Sequence, residues 1–333
     1  IRTTEIKART ESFDRESIYS MSEELLDCAA EKWKTASDNH AALDTCRFRD
    51  TKSTSGNKYT LQFNPARIVS TGAKIDAKSL SERPCFLCDK NRPAEQDSKA
   101  YGKHYKMLLN PFPILSNHTT ISACIHQPQT IRNRFKALIG LARECMVAFY
   151  NGPKCGASAP DHMHFQCGTT HEHAIPLMEN LPQYFNSQPI IANYEASIFC
   201  LEGYACPLFA IISNNDNAAE EAFNRLYDSL PLHDGESEPM MNVLCWQYSN
   251  GEKITIIIPR SKHRPDCYSK NGAEQHLISP GALDMCGLIV TPREEDFSSL
   301  AGDDIEAILA EVGISKDEAL RCTELLKSSC TTI

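Results

Sequence analysis

No stretch of this sequence stays apolar for anything near the roughly 20 residues that a membrane-crossing helix needs. The longest such runs, Ile254 to Pro259 and Cys206 to Ile212, fall far short, so no transmembrane helix is expected. Positive charge is also scarce: 34 Lys and Arg against 43 Asp and Glu leave a net charge of −9. That balance argues against a general nucleic-acid coat or an anionic membrane surface as partner, and it requires any anionic substrate to find a locally positive pocket. After the mixed-charge run Ile1 to Arg9 there is no signal-peptide-like apolar segment. Cysteines with ligand-like spacing are rare as well. Of 15, only Cys85 and Cys88 are separated by just two residues, while Cys124, Cys145, Cys200, Cys206 and Cys245 sit singly in apolar runs. Such residues read as buried reduced thiols, which predicts a cytoplasmic compartment.

What is present is the composition of an ordinary globular protein, 41% hydrophobic and 23% charged over 333 residues, enough for two lobes or one large fused unit. Ser17 to Thr35 has the spacing of a packing helix. Tyr59 to Val69, Tyr105 to Leu109 and Thr119 to Ile125 read as strands, the last two flanking Asn110-Pro111-Phe112-Pro113, a loop whose prolines forbid a regular ladder. Between Gln129 and Tyr150, apolar residues three and four apart (Ile131, Phe135, Leu138, Ala142, Met146, Phe149) predict one helix ended by Asn151-Gly152-Pro153. The second half reuses similar parts: strands at Leu208 to Ser213, Asn242 to Tyr248 and Lys253 to Pro259 around a helix at Ala218 to Leu230. A degenerate duplication is the reading. Two tail helices follow, Asp303 to Val312 and Lys316 to Ser328, the second opened by a Ser315/Glu318 capping box.

The chemistry concentrates in one short segment. His162-Met163-His164-Phe165-Gln166 alternates, so a strand there puts two imidazoles and a carboxamide on one face, preceded by the small-residue run Gly156-Ala157-Ser158. Imidazole is a competent nucleophile near neutral pH, and backbone amides at Gly156 to Ser158, with the Ser158 hydroxyl, could hold an anion beside it. An isolated His-x-His would read as a polar strand edge; the Gly-Ala-Ser run and Gln166 favour a site. Asn151 is either a phosphate or ribose contact or part of a helix-ending turn. Arg260, Lys262, His263 and Arg264 form the densest cationic cluster of the second half, suited to a polyphosphate or sugar phosphate, with a solvated turn as the alternative. Arg67 in FNPAR is a further candidate. His171 and His173 flank Glu172 in what reads as an exposed loop. Cys85 and Cys88 could clamp Zn²⁺, stay unmetallated, or act in redox chemistry, although no thioredoxin-like frame surrounds them.

These residues carry a resemblance. The segment YNGPKCGASAPDHMHFQ, Tyr150 to Gln166, resembles the active-site segment of the galactose-1-phosphate uridylyltransferase branch of the histidine triad superfamily. That branch also holds ATP adenylyltransferases (diadenosine polyphosphate phosphorylases) and GDP-hexose phosphorylases. CFLCDKNRP at Cys85 to Pro93 and LLNPFPI at Leu108 to Ile114 follow the family's order, as a zinc-binding Cys-x-x-Cys and a nucleoside-contacting Asn-x-Phe. The resemblance implies that His164 forms the covalent nucleotidyl intermediate and that Gln166 holds phosphate where hydrolytic relatives carry a third His. It implies that His162 and Ser158 assist, and that Asn110 and Phe112 hold the nucleoside, with Gly156 and Asn151 beside it. For structural zinc it implies Cys85, Cys88, His162 and His126, with His118 as the alternative to His126. One departure stands out: Ser158 lies four residues before His162 where the uridylyltransferases usually have three, with Asp161 as the apparent insertion. Beyond residue 200 the likeness is architectural.

The expected fold is α+β and histidine-triad-like: two fused halves, each an antiparallel sheet with a packed helix, plus terminal helices. The expected boundaries are a helical extension at 1–56, a catalytic half at 57–200, a second half at 201–300 and C-terminal helices at 301–333. The expected activity is nucleotidyl transfer or phosphorolysis of a nucleoside diphosphate sugar or dinucleoside polyphosphate, with phosphate or a sugar phosphate as acceptor. Because the second half can complete the pocket, one chain can suffice. A hydrolase is the rival within enzymes, disfavoured because Gln166 cannot become cationic and protonate a leaving group. A non-catalytic nucleotide- or zinc-binding module is the rival outside them.

Overall fold

The computed structural model describes residues 17–72, 76–169, 175–185, 188–193 and 195–329. The chain opens with helix α1 (Ile18–Lys32), capped by the Ser17 hydroxyl accepting from the Ser20 amide, and α2 (Lys34–Ala41). A hairpin of β1 (Arg47–Lys52) and β2 (Lys58–Phe63) follows. Next come β3 (Ser98–Tyr101), β4 (Tyr105–Leu109), β5 (Ser116–Ala123), α3 (Phe135–Glu144), β6 (Val147–Asn151) and β7 (His164–Thr169). The second half runs β8 (Ile191–Ala192), β9 (Ala196–Leu201), β10 (Leu208–Ser213), α4 (Asp216–Ser229), β11 (Met241–Gln247) and β12 (Lys253–Pro259). The chain then returns through β13 (Leu288–Thr291), which pairs parallel with β2, to α5 (Gly302–Val312) and α6 (Lys316–Ser328). The α6 cap is the reciprocal Ser315/Glu318 box that its sequence predicts.

Ten strands form one sheet in the order β3-β4-β5-β7-β6-β11-β12-β10-β9-β8. The duplication is visible in this order. The first half runs hairpin, helix, two strands (β4-β5-α3-β6-β7), and its last strand inserts beside the hairpin; β9-β10-α4-β11-β12 repeats the plan. The halves do not carry separate sheets, because the equivalent strands β6 and β11 pair antiparallel, from Asn151 with Asn242 to Ala148 with Cys245. Only one half holds an imidazole at the start of its inserted strand: where β7 begins with His164, β12 begins with Lys253 and is buried throughout.

Period-two alternation divides the sheet between two layers. Phe165, Cys167, Tyr150, Phe209 and Val243 pack under α1, α3, α4 and α6. On the opposite face Phe149, Leu244, Leu208 and Ile256 pack under α5 and the small β1-β2-β13 sheet. His164 and Gln166, alternating with Phe165, belong to this second face. Among the described residues no helix is long and apolar enough to cross a membrane.

Two expectations about local structure are corrected. The stretch 129–150 is not one helix: α3 ends at Glu144, Cys145 is extended, and β6 follows with all five residues buried. A strand buried on both faces is a continuous apolar run, so Met146 and Phe149 met the helical spacing by coincidence. Asn151 therefore ends a strand, not a helix. Strand β7 also begins two residues later than its alternation suggests. The His162 amide closes a turn onto the Ala159 carbonyl (3.2 Å), and Met163 pairs with Gln127 and Ala123 instead of extending the ladder.

Candidate active site

A cavity of about 690 Å³ opens on the second face of the sheet, a size suited to a nucleotide-like ligand. His164 and Gln166 line it from β7, Asn110 and Phe112 from the loop after β4, and Gly156 to Ala159 from the loop after β6. The second half supplies His263, Arg264 and the stretch 281–284, so the chain closes the cavity with its own residues. Gly156 is required where it sits. Its φ is +92°, and a Cβ there would lie 2.7 Å from Gly281 Cα, the point at which the two halves meet over the cavity.

The His164 ring is almost fully buried, and its Nδ1 lies 2.8 Å from the His162 carbonyl. A carbonyl only accepts, so Nδ1 carries the proton and Nε2 keeps its lone pair, without a partner among the described residues. Burial, opposed by that hydrogen bond, pushes the imidazole down to about 4, so it is neutral and nucleophilic at neutral pH. The backbone at this point is held by Gln129, a fully buried residue that sequence reasoning missed. Its Oε1 accepts from the His164 amide (2.7 Å), and its Nε2 donates to the His164 and Asn151 carbonyls (3.0 and 2.9 Å). A lone Gln outside any motif offers no signal that could have singled it out.

Asn151 lines the cavity with its carboxamide oriented from behind. Its Oδ1 accepts from Asn242 Nδ2 and the Ala282 amide, both at 2.8 Å, which leaves its NH₂ group as the open donor. Behind Asn242 stands Arg260, and here the sequence reading is corrected. Arg260 is fully buried, donating to Asn242 Oδ1 and to the carbonyls of Val312, Pro280, Lys262 and His263. It is a structural cation, not a phosphate ligand. Lys262 is corrected too: it pairs with Asp266 and Glu311 and does not line the cavity. His263 does line it, held down to about 4 by burial and by the neighbouring Arg264 and Arg260 charges.

The local positive potential comes from Arg67, Arg83 and Arg264, all lining a cavity in a protein of net charge −9. Arg67 Nη1 donates to the Phe112 carbonyl (2.7 Å) while its Nε is buried without a partner. Burial lowers this guanidinium to about 10, against the pull of Asp284. Arg83 was missed, although it stands two residues before Cys85. It pairs with Asp161 at 2.9 Å and lies over the Phe86 ring, so the apparent insertion supplies this arginine's carboxylate. Ser158 lines the cavity and its carbonyl accepts from Arg83 (3.3 Å).

Beside the cavity, Cys85, Cys88, His126 and His162 bring one ligand atom each to within 4.8 Å of one another. Cys85 Sγ and His162 Nδ1 are 3.3 Å apart, Cys88 Sγ and His126 Nδ1 also 3.3 Å, and Cys88 Sγ and His162 Nδ1 3.6 Å. These are edges of the size a tetrahedral S₂N₂ metal site needs. The His162 tautomer fits as well. Its Nε2 donates to the Ala123 carbonyl (2.9 Å), which frees Nδ1 to ligate. His162 thus faces the cluster and not the cavity, and touches the site only through the carbonyl that holds His164. His118 is no alternative ligand: it is fully buried against Gln166 on the cavity side. His171 and His173 lie outside the described residues.

Comparison with known proteins bears on most of the chain. A family described as a domain of unknown function (DUF4922) matches residues 25–169. Diadenosine 5',5'''-P1,P4-tetraphosphate phosphorylase 2 of Saccharomyces cerevisiae is 22% identical over 298 residues, 80% of this chain and 87% of its own. The crystal structure of yeast Ap4A phosphorylase Apa2 superposes with a TM-score of 0.55 at 17% identity, covering 85% of this chain and 97% of that one. Its complex with AMP gives 0.56 at 18% identity, covering 85% and 96%. This chain has the fold of yeast Ap4A phosphorylase Apa2. The expected α+β architecture is therefore borne out, with one continuous sheet in place of the separate sheet expected for each half, and so is the resemblance to the diadenosine polyphosphate phosphorylase branch.

Proposed function

We propose that this chain is a phosphorylase, transferring a nucleotidyl group from a dinucleoside polyphosphate to inorganic phosphate through a covalent intermediate on His164. The single observation that carries the reading is the His164 ring: Nδ1 tied to the His162 carbonyl, Nε2 open, Gln166 two residues along the same strand face. Likeness to the yeast phosphorylase over most of both chains supports the substrate class ahead of a nucleoside diphosphate sugar. In the first step the Nε2 lone pair attacks an α-phosphorus. An N–P bond forms and the P–O bond to the rest of the polyphosphate breaks, the leaving group departing as a nucleotide. In the second step an oxygen of inorganic phosphate attacks that phosphorus, the N–P bond breaks, and the imidazole returns. Holding both reactants in one cavity makes the second step effectively intramolecular.

Asn110 and Phe112 hold the nucleoside, while Gln166, Asn151, Ser158 and the Gly156 loop hold phosphate oxygens beside Arg67. His263 and Arg264 face the part of the cavity that the second half closes, where an acceptor or distal phosphate fits. We assign catalysis to the half that carries β4 to β7 and closure of the cavity to the half that carries β8 to β12, with one chain sufficient for the site; the expected boundaries at 56/57 and 200/201 would cut the β1–β2 hairpin and β9. Cys85, Cys88, His126 and His162 would hold Zn²⁺, which would supply structural clamping of the 85–93 loop to the start of the catalytic strand. His162, as a ligand, keeps its carbonyl under His164 Nδ1.

The test is His164→Asn with Ap4A and inorganic phosphate as reactants. Turnover is expected to vanish while the thermal transition stays near that of the parent; full activity in the variant overturns the covalent mechanism. In the parent, products are expected to form only with phosphate present. Equal nucleoside monophosphate with and without phosphate identifies a hydrolase, and binding without turnover identifies a binding module.

A further inference from the structure

We propose that His118, which does not line the cavity, is a positioning residue that fixes which end of the Gln166 carboxamide faces the substrate. The inference rests on the reading that phosphate oxygens lie against Gln166. It follows from hydrogen-bond direction alone. The Ile114 amide donates to His118 Nδ1 at 3.0 Å, and a backbone N–H has no other role to play, so Nδ1 is the unprotonated nitrogen. A neutral ring then carries its one proton on Nε2. That nitrogen is 2.8 Å from Gln166 Oε1, and as a donor it can only meet an acceptor. The ring is fully buried, and burial together with the Arg67 charge holds it down to about 3, so it stays neutral across the working range.

A second donor converges on the same oxygen. The Phe112 amide donates to Asn110 Oδ1 (3.0 Å), which turns Asn110 Nδ2 toward Gln166 Oε1 at 3.3 Å. Two backbone amides, of Ile114 and Phe112, therefore dictate through His118 and Asn110 that Gln166 keeps its oxygen inward. Reversing the carboxamide would set its NH₂ group against two N–H donors. The Gln166 amide NH₂ is left as the group presented to the cavity, a neutral donor that cannot flip. A carboxamide free to turn would serve a hydroxyl or a cation equally well; this one favours an anion.

The experiment exploits the two halves of an imidazole. His118→Asn keeps an acceptor near the Nδ1 position, so the Ile114 amide stays satisfied, but loses the donor to Gln166. His118→Gln keeps a donor near the Nε2 position and loses the Ile114 anchor. If His118 orients Gln166, H118N lowers kcat/KM for Ap4A phosphorolysis by about 10- to 100-fold, the scale of one misdirected hydrogen bond to a charged group, while H118Q recovers most of it. On a Gln166→Ala background neither change has further effect on kcat/KM. A merely structural histidine gives losses that follow thermal stability in both backgrounds, with H118N no worse than H118Q, and that order overturns the proposal. Wild-type turnover tests the phosphorylase reading separately. Should turnover be absent, AMP affinity measured by calorimetry must show the same order of variants. Nitrogen-15 NMR of the His118 ring decides the premise whatever the activity: an Nδ1–H tautomer, or a ring protonated at neutral pH, refutes it.

Discussion

Gln166→Glu changes one NH₂ group into an oxygen and almost nothing else, which makes it the sharpest probe of the phosphate-facing wall. The inward oxygen still accepts from His118 Nε2 and Asn110 Nδ2, so the fold keeps both hydrogen bonds. Only the outward atom differs: a donor to phosphate becomes an anion facing it. Losing one hydrogen bond to a charged partner costs about 1.5–3 kcal/mol. Placing a carboxylate about 4 Å from a phosphate charge adds up to about 4 kcal/mol at an effective dielectric constant near 20. Together these approach about 6 kcal/mol, and screening in an open cavity trims the figure, so kcat/KM should fall by about 10³- to 10⁴-fold. The loss should shrink as pH drops, because the introduced carboxyl, once protonated, is a donor again. Steady-state phosphorolysis from pH 5 to 8, with thermal unfolding as the control, measures both effects. A variant within about threefold of the parent at every pH would refute the placement of phosphate against this residue, and so would a pH-independent loss that merely follows a lowered Tm.

Two further outcomes follow from buried groups away from that wall. Glu238 is almost wholly buried, accepts from the Tyr150 hydroxyl and the Ile131 amide, and has Arg134, Tyr227 and Cys155 as further charged or titratable neighbours; burial raises its carboxyl from 4.5 to about 7. A raised carboxyl favours the folded state fully below the unfolded value and loses that advantage as pH climbs through the folded one, so about 3 kcal/mol should disappear between pH 5 and 8. Glu238→Gln should flatten that slope in urea unfolding, and an unchanged slope would assign the pH dependence elsewhere. At the cysteine cluster, Cys88→Ser should lower zinc content from one ion per chain and lower the thermal transition together, read by metal analysis and calorimetry on the purified protein. Parent protein that binds no zinc under replete conditions would remove the metal from this account.

The fold was legible wherever hydrophobic period and chain order agreed. β10, α4, β11, β12, α5 and α6 fall within a few residues of their expected positions, and the Ser315/Glu318 box forms as its spacing requires. The failure at 129–150 has a specific cause: β6 lies between β7 and β11 and is buried on both faces, so it shows no alternation that could separate it from a helix. One continuous sheet was equally hidden, because the pairing of β6 with β11 joins residues some 90 positions apart and leaves no local trace.

For the site, the informative distinction is between side chains that line the cavity and side chains that aim them. Motif reading found the first kind: His164, Gln166, Asn110, Phe112, Asn151 and the Gly156 loop all line one cavity, and the cysteine pair meets the two histidines that the resemblance implied. It failed on the second kind, and for a physical reason. A cationic cluster at a strand end looks the same in sequence whether its members face solvent, a ligand or the interior. Only the enclosure of Arg260 by one carboxamide and four carbonyls shows that its charge is spent inside the protein. From there it orients Asn242, and Asn242 orients Asn151, much as Ile114 and His118 orient Gln166. Asn151 and Gln166 thus have their oxygens fixed from behind and their NH₂ groups presented forward. On the proposed reading, a wall of neutral donors with fixed polarity gives an acidic chain a way to hold phosphate without gathering lysines, and it leaves the guanidinium groups of Arg67, Arg83 and Arg264 to supply the local positive potential.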